Sequence, residues 1–370
     1  MNDIEINIKN KTHRLSLAEP FLRYAGNPIL NAETLNRYWE SPHLKVVAVY
    51  NAGMAKYNGG IVMLFRALLR NGISVLGKAV SEDGFSGWDV GERPVLKPCD
   101  EQDLYAENCD VEMQMEMEAG GVEDARISKI GDSFYITYSA YHGSVQDRVR
   151  VCLAVTQDFQ NFVRYGPVLQ HDMRNVVIFP AKINGKYYAL MRPNDDPSSG
   201  HKGGVFKEIR LASTTSPEDN KWLVAEEPVM KQLGQPSPFQ DKIGPGAQPL
   251  PSKHGWISIF HGVRSTMDGN PYVLGVALHE RDDPSKVKVS SIPLVFPSAA
   301  DCRVQEDAYI HVPNVVFTCG AIRDEDGTIK VYYGGNDTVM NVGFTHEDIL
   351  AGLCHEYPQE PLTGKRLYKI

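Results

Sequence analysis

Four segments of the sequence end an alternating apolar run with side chains that can bind an anion or a sugar. Arg66 follows Met-Leu-Phe, Arg192 follows Ala-Leu-Met, and His261 follows Ser-Ile-Phe. The pair Asn336 and Asp337 follows Tyr-Tyr-Gly-Gly. Taken singly, each residue is explained as a solvated strand end. Their recurrence at equivalent positions of a repeat favours one shared polar site.

Charged residues also lie beside other predicted strands. Glu123 and Asp124 are adjacent, so in a regular strand they point to opposite faces and only one can face a shared pocket. A salt bridge to Arg126 is an alternative explanation for the pair. Arg174 precedes a buried strand, and Lys242 begins the turn Lys-Ile-Gly-Pro-Gly, whose spacing is not that of a phosphate-binding P-loop.

The elements that position these residues come from a fivefold repeat, in which a turn glycine precedes an alternating apolar strand. The glycines lie at intervals of 72, 54, 70 and 72 residues, at Gly59, Gly131, Gly185, Gly255 and Gly327. Asn-Gly and Asp-Gly before alternating apolar residues are a strong hairpin signal. A second strand with an acidic turn follows most copies, so each repeat supplies about four strands, the content of one propeller blade.

The repeat predicts an all-β fold, a five-bladed β-propeller formed by residues 1–370 as a single domain. A pair of β-sandwiches is the alternative, and it is disfavoured because no Pro/Ser-rich linker separates the repeats. Helical patterns occur only near the ends, at 31–41 and 346–354. Residues 1–44 and 346–370 are therefore expected to be short, partly helical extensions.

Composition excludes several classes of function. A net charge of -8 argues against general nucleic-acid binding but permits a local basic pocket. No apolar run approaches the ~20 residues of a membrane span, and the N-terminus carries no apolar secretion signal. The six cysteines form no CxxC pair, which favours a cytoplasmic location. The 11 histidines are scattered, so no metal site is expected.

An ordered set of motifs resembles glycoside hydrolase family 130, whose members are inverting β-mannoside phosphorylases and related β-mannosidases with a five-bladed propeller fold. The resemblance covers roughly residues 45 to 350 and includes the segments 50–53, 64–66, 122–127, 174–177, 242–244, 261–263 and 332–337. One departure is Ala125, where the family usually has Pro. This position shapes a turn, so the resemblance still applies to the neighbouring acid.

The resemblance implies a role for each candidate residue. Asp124 is the general acid, which delivers its proton through a sugar hydroxyl. The implied phosphate ligands are Arg150, Arg174, Lys242, His261 and Tyr272. The implied substrate-binding residues are Asn51, Arg66, Glu123, Arg192 and Asp337. Inorganic phosphate is the co-substrate, and no cofactor is implied.

The chemistry of these side chains favours phosphorolysis. An inverting hydrolase needs an acid and a base, with the carboxyl groups ~6.5–9.5 Å apart to admit water. A phosphorylase needs only the acid, since phosphate is the nucleophile and is gripped by Arg, Lys and His. The negative charge of the phosphate is expected to raise the pKa of the nearby acid and keep it protonated.

Two alternatives stay open, a β-mannosidase that uses water and a non-catalytic sugar-binding propeller. The acceptor sugar and its linkage, β-1,4, β-1,2 or β-1,3, are not fixed by the sequence. The loop around His201 either caps the acceptor subsite or is a plain surface loop. A homo-oligomer formed through the N-terminal helix is also left open.

Overall fold

The computed structural model describes residues 3–144, 149–194, 208–232, 237–267, 269–306 and 308–368. The protein is mostly β, and the described residues contain only three α-helices. None of those helices has the length and apolar sequence that a bilayer span requires. The chain begins with a hairpin of β1 and β2, followed by one short strand and one short helix: β1 (Ile4–Ile8), β2 (Lys11–Leu15), β3 (Leu22–Arg23) and α1 (Ala32–Leu35).

Two mostly antiparallel units follow, and we call them unit 1 and unit 2. Unit 1 comprises β4 (Val46–Tyr57), β5 (Gly60–Leu69), β6 (Ser74–Ser81) and β7 (Asp89–Val90). Unit 2 comprises β8 (Leu104–Tyr105), β9 (Gly121–Ile130), β10 (Ser133–Tyr141), β11 (Val149–Thr156) and β12 (Val163–Pro167), with helix α2 (Val111–Glu118) between β8 and β9. The pair of β8 with β12 in unit 2 is parallel. A single parallel pair, Ser74 with Gly121, joins the two units into one nine-stranded sheet.

Three more units complete the chain. Unit 3 comprises β13 (Met173–Ile178), β14 (Tyr187–Pro193), β15 (Ile209–Thr214) and β16 (Leu223–Met230). Unit 4 comprises β17 (Lys242–Pro245), β18 (Leu250–Ser252), β19 (Gly255–Val263), β20 (Tyr272–His279) and β21 (Val287–Ser290). Unit 5 comprises β22 (Val316–Arg323), β23 (Thr328–Gly335) and β24 (Val339–His346), and helix α3 (Glu347–Glu356) and β25 (Pro358–Gln359) follow it.

The two chain ends are built into the sheets. Strand β3 pairs with β24, so Leu22 and Arg23 add the fourth strand of unit 5. Strand β25 pairs with β21 at the edge of unit 4. The terminal segments therefore supply sheet strands, whereas the sequence predicted only partly helical extensions there.

All five predicted turn glycines have positive φ, between 60° and 121°. Asn58 and Asn184, which precede two of them, are also left-handed, each with φ 49°. Positive φ at both central residues matches the right-handed twist of a hairpin, and Asn-Gly tolerates it at little cost. The hairpin predicted for each repeat is confirmed.

Buried apolar side chains lie between the units and pack them together in sequence. Each of five apolar clusters joins two units, and the fifth joins unit 5 back to unit 1. Representative pairs, in that order, are Leu64 with Ile136, Val151 with Met191, Leu190 with Phe260, Ile257 with Val331, and Met340 with Phe65. Adjacent residues on one strand, such as Leu64 and Phe65 or Leu190 and Met191, belong to different clusters. Successive side chains point to opposite faces of a strand, so these sheets are packed on both faces.

The N-terminal helix is shorter than predicted, and the C-terminal helix is as predicted. Helix α1 ends at Leu35, short of the predicted Ser41, because the Asn36 side chain bonds the backbone N–H and C=O of Val46 and turns the chain towards β4. The predicted C-terminal helix is confirmed, with His346 as its N-cap.

Helix α2 was not predicted at all. Two of its three buried residues are polar, Gln114 and Glu118 beside Met117, so the sequence lacks the apolar periodicity of an amphipathic helix. Glu118 accepts hydrogen bonds from Gln114, Tyr138 and Arg164, which satisfy the carboxylate inside the protein.

Candidate active site

Three units carry the same irregularity, a β-bulge at a left-handed Asn or Asp. The bulge residues are Asn51 in β4, Asp124 in β9 and Asn175 in β13, with φ of 51°, 53° and 60°. In each strand, two residues oppose one on the neighbouring strand, so the register shifts at these points. Asn and Asp tolerate positive φ better than other non-glycine residues. A bulge redirects side chains, which is why bulges often border active sites.

The bulge at Asp124 brings two acids to one guanidinium. Arg66 donates from Nη2 to Oε1 of Glu123 at 2.7 Å and from Nη1 to Oδ1 of Asp124 at 3.2 Å. The prediction that only one of the adjacent acids can face the pocket is therefore wrong. It assumed regular alternation, and the left-handed Asp124 breaks that alternation.

Asp124 is buried and held by two donors. Asn51 donates from Nδ2 to Oδ1 of Asp124 at 3.0 Å, alongside the bond from Arg66. Burial raises the pKa of Asp124, but the positive charges of Arg66 and Arg126 and the bonds from Asn51 and Arg66 outweigh it, so the pKa lies below its ordinary value. Without phosphate, the Asp124 carboxyl is therefore ionised at neutral pH. The raised pKa predicted from the sequence applies to the site with phosphate bound.

Arg126 joins three parts of the site without pairing with a carboxylate. It donates from Nη1 to the backbone oxygen of Asp124 at 2.8 Å and from Nη2 to Oδ1 of Asn175 at 2.8 Å. Nε donates to the backbone oxygen of Gly246 at 3.0 Å. Arg126 therefore forms no side-chain salt bridge with Glu123 or Asp124, contrary to the alternative considered from the sequence. Arg126 instead fixes two bulges and the turn after β17 relative to each other.

The second half of the site is cationic. Arg174 and Arg192 are direct cross-strand partners on β13 and β14. Burial, then the nearby charges of Arg174 and Arg126, lower the pKa of Arg192 to about 10, although Tyr272 opposes this. Lys242 donates from Nζ to the Tyr272 hydroxyl at 2.6 Å, with Nζ 4.7 Å from the ring centre.

His261 completes the cationic half as a neutral ring. Its ring stacks on Tyr272 with the centroids 6.1 Å apart and lies 4.5 Å from the ring of Phe317. Burial, then the charges of Arg192, Lys242 and Arg126, lower its pKa well below the ordinary value. Gly244 lies directly opposite His261 in the sheet, and a Cβ there would collide with the imidazole. A neutral imidazole can still donate one N–H to a ligand.

Asp337 links the two halves electrostatically. Burial, then the charges of Asp124 and Glu123, raise its pKa to about 7, against the opposing effects of Arg66 and Lys242. Its backbone is also left-handed, with φ 47°. This carboxyl is therefore close to half-protonated at neutral pH, beside an ionised Asp124.

The structure brings together most of the predicted site residues. Hydrogen bonds, cross-strand pairing or mutual charge effects connect the members at Asn51, Arg66, Glu123, Asp124, Arg174, Arg192, Lys242, His261, Tyr272 and Asp337. Arg150 forms an ion pair with Asp172, which lies just before β13. His201 lies outside the described residues.

The sequence predicted no catalytic or binding role for Arg126 or Asn175, although both stand in the motifs of the resemblance. One sequence pattern includes Asn175 and directly precedes Arg126: an Asn or Asp followed by a small or β-branched residue, at 51–52, 124–125 and 175–176. It marks the bulge positions only once the strand register is known.

A cavity of about 550 Å³ opens beside Lys242 and Tyr272. Its other walls come from Asp241, Val263, Ser265, Gly269, Asn270, Val312, Pro313 and Asn314. This volume lies within the range of small-molecule sites. In the part of the chain that the structure describes, no three His, Cys, Asp or Glu side chains are grouped so as to hold a metal ion.

Comparison with known proteins identifies the family. The model of glycoside hydrolase family 130, described as β-1,4-mannooligosaccharide phosphorylase, matches residues 23–356. The chain belongs to glycoside hydrolase family 130. The resemblance predicted from the ordered motifs is thereby confirmed.

The family 130 relatives match over nearly their whole length. A 1,2-β-oligomannan phosphorylase of Thermoanaerobacter sp. is 32% identical over 330 residues, covering 86% of this chain and 95% of the relative. A β-1,2-mannobiose phosphorylase of Listeria innocua is 27% identical over 377 residues, covering 86% and 94%. A solved structure of β-1,2-mannobiose phosphorylase from Listeria innocua, in complex with β-1,2-mannobiose, superposes with a TM-score of 0.73 at 25% identity, covering 90% of this chain and 99% of that one.

Proposed function

We propose that the protein is an inverting phosphorylase, which cleaves a terminal β-mannoside with inorganic phosphate and releases α-D-mannose 1-phosphate and a shortened sugar. Its family and the activities named for its relatives support this reaction class. The site adds an independent physical reason, which is its balance of charge.

That balance is the observation that carries the proposal. Five cationic side chains, at Arg66, Arg126, Arg174, Arg192 and Lys242, accompany three carboxyl groups, at Glu123, Asp124 and Asp337. Because Asp337 is about half-protonated at neutral pH, at least two positive charges are in excess. Nearby cations lower the pKa of both Arg192 and His261, so an anion placed beside these two side chains would be stabilised. The excess matches the charge of a phosphate dianion and is not needed by a hydrolase that binds water.

The two halves of the site take different parts in the proposed reaction. Arg174, Lys242, His261 and Tyr272 hold phosphate, and Arg192 lies among them. Asn51, Arg66, Glu123 and Asp337 hold the mannosyl unit beside Asp124. Arg150 stays a predicted phosphate ligand, although its guanidinium pairs with Asp172.

In the proposed step, a phosphate oxygen attacks the anomeric carbon as the glycosidic C–O bond breaks. Asp124 supplies the proton that the departing oxygen takes up, through a sugar hydroxyl as the family resemblance implies. The like charge of the bound phosphate opposes ionisation of Asp124 and so favours its protonated form. Because phosphate is held in place, the attack becomes nearly unimolecular.

The proposal includes a five-bladed propeller as the scaffold. Apolar cores between consecutive units, and one between unit 5 and unit 1, support a closed ring of five blades. Pairing of β3 with β24 supplies the first and last parts of the chain to one blade. The proposed cytoplasmic location is supported by the six cysteines, all free thiols. Self-association through the N-terminal residues stays a prediction.

The experiment that tests the proposal is the reverse reaction. Purified protein is given α-D-mannose 1-phosphate with a panel of acceptors comprising glucose, mannose, N-acetylglucosamine and mannooligosaccharides, and released phosphate is measured. Release with at least one acceptor is expected, and the preferred acceptor identifies the substrate. No release with any acceptor, together with mannoside cleavage by water alone, would instead indicate a β-mannosidase. Sugar binding without either reaction would indicate a binding protein.

A further inference from the structure

Tyr50 is a buried tyrosine at the centre of the site, one residue before the bulge at Asn51. It lies on β4 directly opposite Arg66 on β5, and only 1% of it is exposed. The guanidinium carbon of Arg66 lies 4.7 Å from the centre of the Tyr50 ring. The ring of His311 packs beside it with the centroids 5.9 Å apart. The ring is therefore fixed between Arg66 and His311.

The hydroxyl of Tyr50 is buried and, within the described residues, has no hydrogen-bond partner. An unpaired buried hydroxyl costs free energy, so such a group in a folded protein calls for an explanation. Burial, then the charges of Asp337, Asp124 and Glu123, raise the pKa of the phenol, while Arg66 opposes them. The group stays neutral and keeps its proton as a hydrogen-bond donor.

Other buried polar atoms at this site share that property. Across the described ranges, Oδ1 of Asn51, Nε of Arg192 and Nδ1 of His261 are also buried without a hydrogen-bond partner. The site thus holds several buried polar atoms whose hydrogen-bonding capacity is not used by the protein, as expected where a ligand supplies the partners.

The neighbours of Tyr50 indicate which ligand it contacts. The Tyr50 ring lies against Arg66, which bonds both Glu123 and Asp124. The charges that most affect its pKa are those of Arg66 and the three carboxyls. A phenol donor among carboxylates suits a neutral polyol, whose hydroxyls accept from the phenol and donate to the carboxylates.

We propose that Tyr50 is a substrate-binding and specificity-determining residue, whose hydroxyl donates a hydrogen bond to one hydroxyl group of the bound mannosyl unit. This inference rests on the proposed function, because it takes mannose as the sugar.

The Tyr50 ring also packs against Arg66. The variant Tyr50→Phe separates the two roles, because it removes the hydroxyl and keeps the ring.

A matched control is available at Tyr332. This tyrosine is also fully buried with an unpaired hydroxyl, but it lies in the apolar core between units 5 and 1, with its ring 6.4 Å from that of Trp88. An unpaired hydroxyl alone therefore does not mark a ligand site. Tyr332→Phe makes the same chemical change outside the site.

The test measures binding by titration calorimetry. The ligands are α-D-mannose 1-phosphate and its 2-, 3-, 4- and 6-deoxy analogues, with wild type, Tyr50→Phe and Tyr332→Phe. Tyr50→Phe is expected to bind mannose 1-phosphate about tenfold more weakly, as for loss of one buried hydrogen bond. One deoxy analogue should bind wild type about tenfold more weakly than mannose 1-phosphate does. The affinity of that analogue should not fall further in Tyr50→Phe, because the hydrogen bond is already missing. Tyr332→Phe should bind all five ligands like wild type.

Three results would overturn the inference. They are unchanged affinity in Tyr50→Phe, an equal loss for all five ligands with the wild-type preferences intact, and no binding of mannose 1-phosphate by the wild type. The proposed function fails in a different way: the wild type binds mannose 1-phosphate but transfers mannose to no acceptor. The affinity ratios still decide the role of Tyr50 in that case.

Discussion

Asn51 donates a hydrogen bond to Asp124 across two units, at 3.0 Å, and both residues are left-handed at equivalent bulges, with φ of 51° and 53°. The same bulge that gives Asn51 its unusual backbone also aims its amide at the carboxylate. Backbone conformation and site geometry are therefore coupled at Asn51.

Asn51→Gly and Asn51→Ala separate side-chain function from backbone strain. Both remove the bond to Asp124, so both should lower kcat/KM. Only Ala is strained at positive φ, so Asn51→Ala should be less stable than Asn51→Gly by about 1 kcal/mol in chemical denaturation. The same two changes at Asn58, which is left-handed in a hairpin turn, should reproduce the stability difference without loss of activity. Equal stabilities of the two Asn51 variants would refute the strain argument.

Asp124→Asn should lower turnover by about 10²–10⁴-fold, since it removes the proton donor. Binding of mannose 1-phosphate should change little, because the amide keeps the shape of the carboxyl group. Steady-state kinetics and calorimetry measure the two effects separately. Asp283→Asn, at an exposed acid, is the control. Unchanged turnover would remove Asp124 as the acid.

Lys242→Ala should raise the KM for phosphate at least about tenfold, because a charge-assisted contact to the anion is lost. The KM for the mannoside should stay within about twofold of wild type, since the sugar-binding residues surround Arg66. Lys286→Ala removes an exposed lysine that pairs with Glu280 and serves as control. A variant that saturates normally with phosphate would reject the assignment of Lys242.

Asp337 should make the protein less stable as the pH rises from about 4 to 7. Its pKa is raised from 3.8 to about 7, so within this window the unfolded chain has released a proton that the folded protein keeps. The contribution falls by at most about 1.4 kcal/mol per pH unit and levels off about one unit above the folded pKa. Urea unfolding of wild type and Asp337→Asn at pH 4.5, 5.5 and 6.5 measures it. The stability gained by the variant over wild type should increase with pH, and a constant difference would contradict the assignment.

The sequence predicted the repeated hairpins, and most of the residues that it proposed for the site lie together in the structure. Asn-Gly and Asp-Gly turns and alternating apolar strands are local signals, so the five hairpins are visible without a structure. The ordered motifs carried the family resemblance, which the family model confirms.

What the sequence could not predict depends on register and tertiary contact. The shared orientation of Glu123 and Asp124 follows from a bulge, which no local pattern distinguishes from a regular strand. Helix α2 was not predicted because its buried residues include Gln114 and Glu118. Their hydrogen-bond partners lie on strands elsewhere in the sequence. The lowered pKa of Asp124 likewise depends on Arg66 and Arg126, brought close only by folding.

The central claim is that a cluster of cations binds phosphate beside Asp124, and the products of mannobiose cleavage test it most directly. Wild-type protein is incubated with β-linked mannobiose in phosphate buffer and in phosphate-free buffer, and the products are separated and assigned by NMR. We expect α-D-mannose 1-phosphate in phosphate and no cleavage without it. Equal release of free mannose in both buffers would contradict the account.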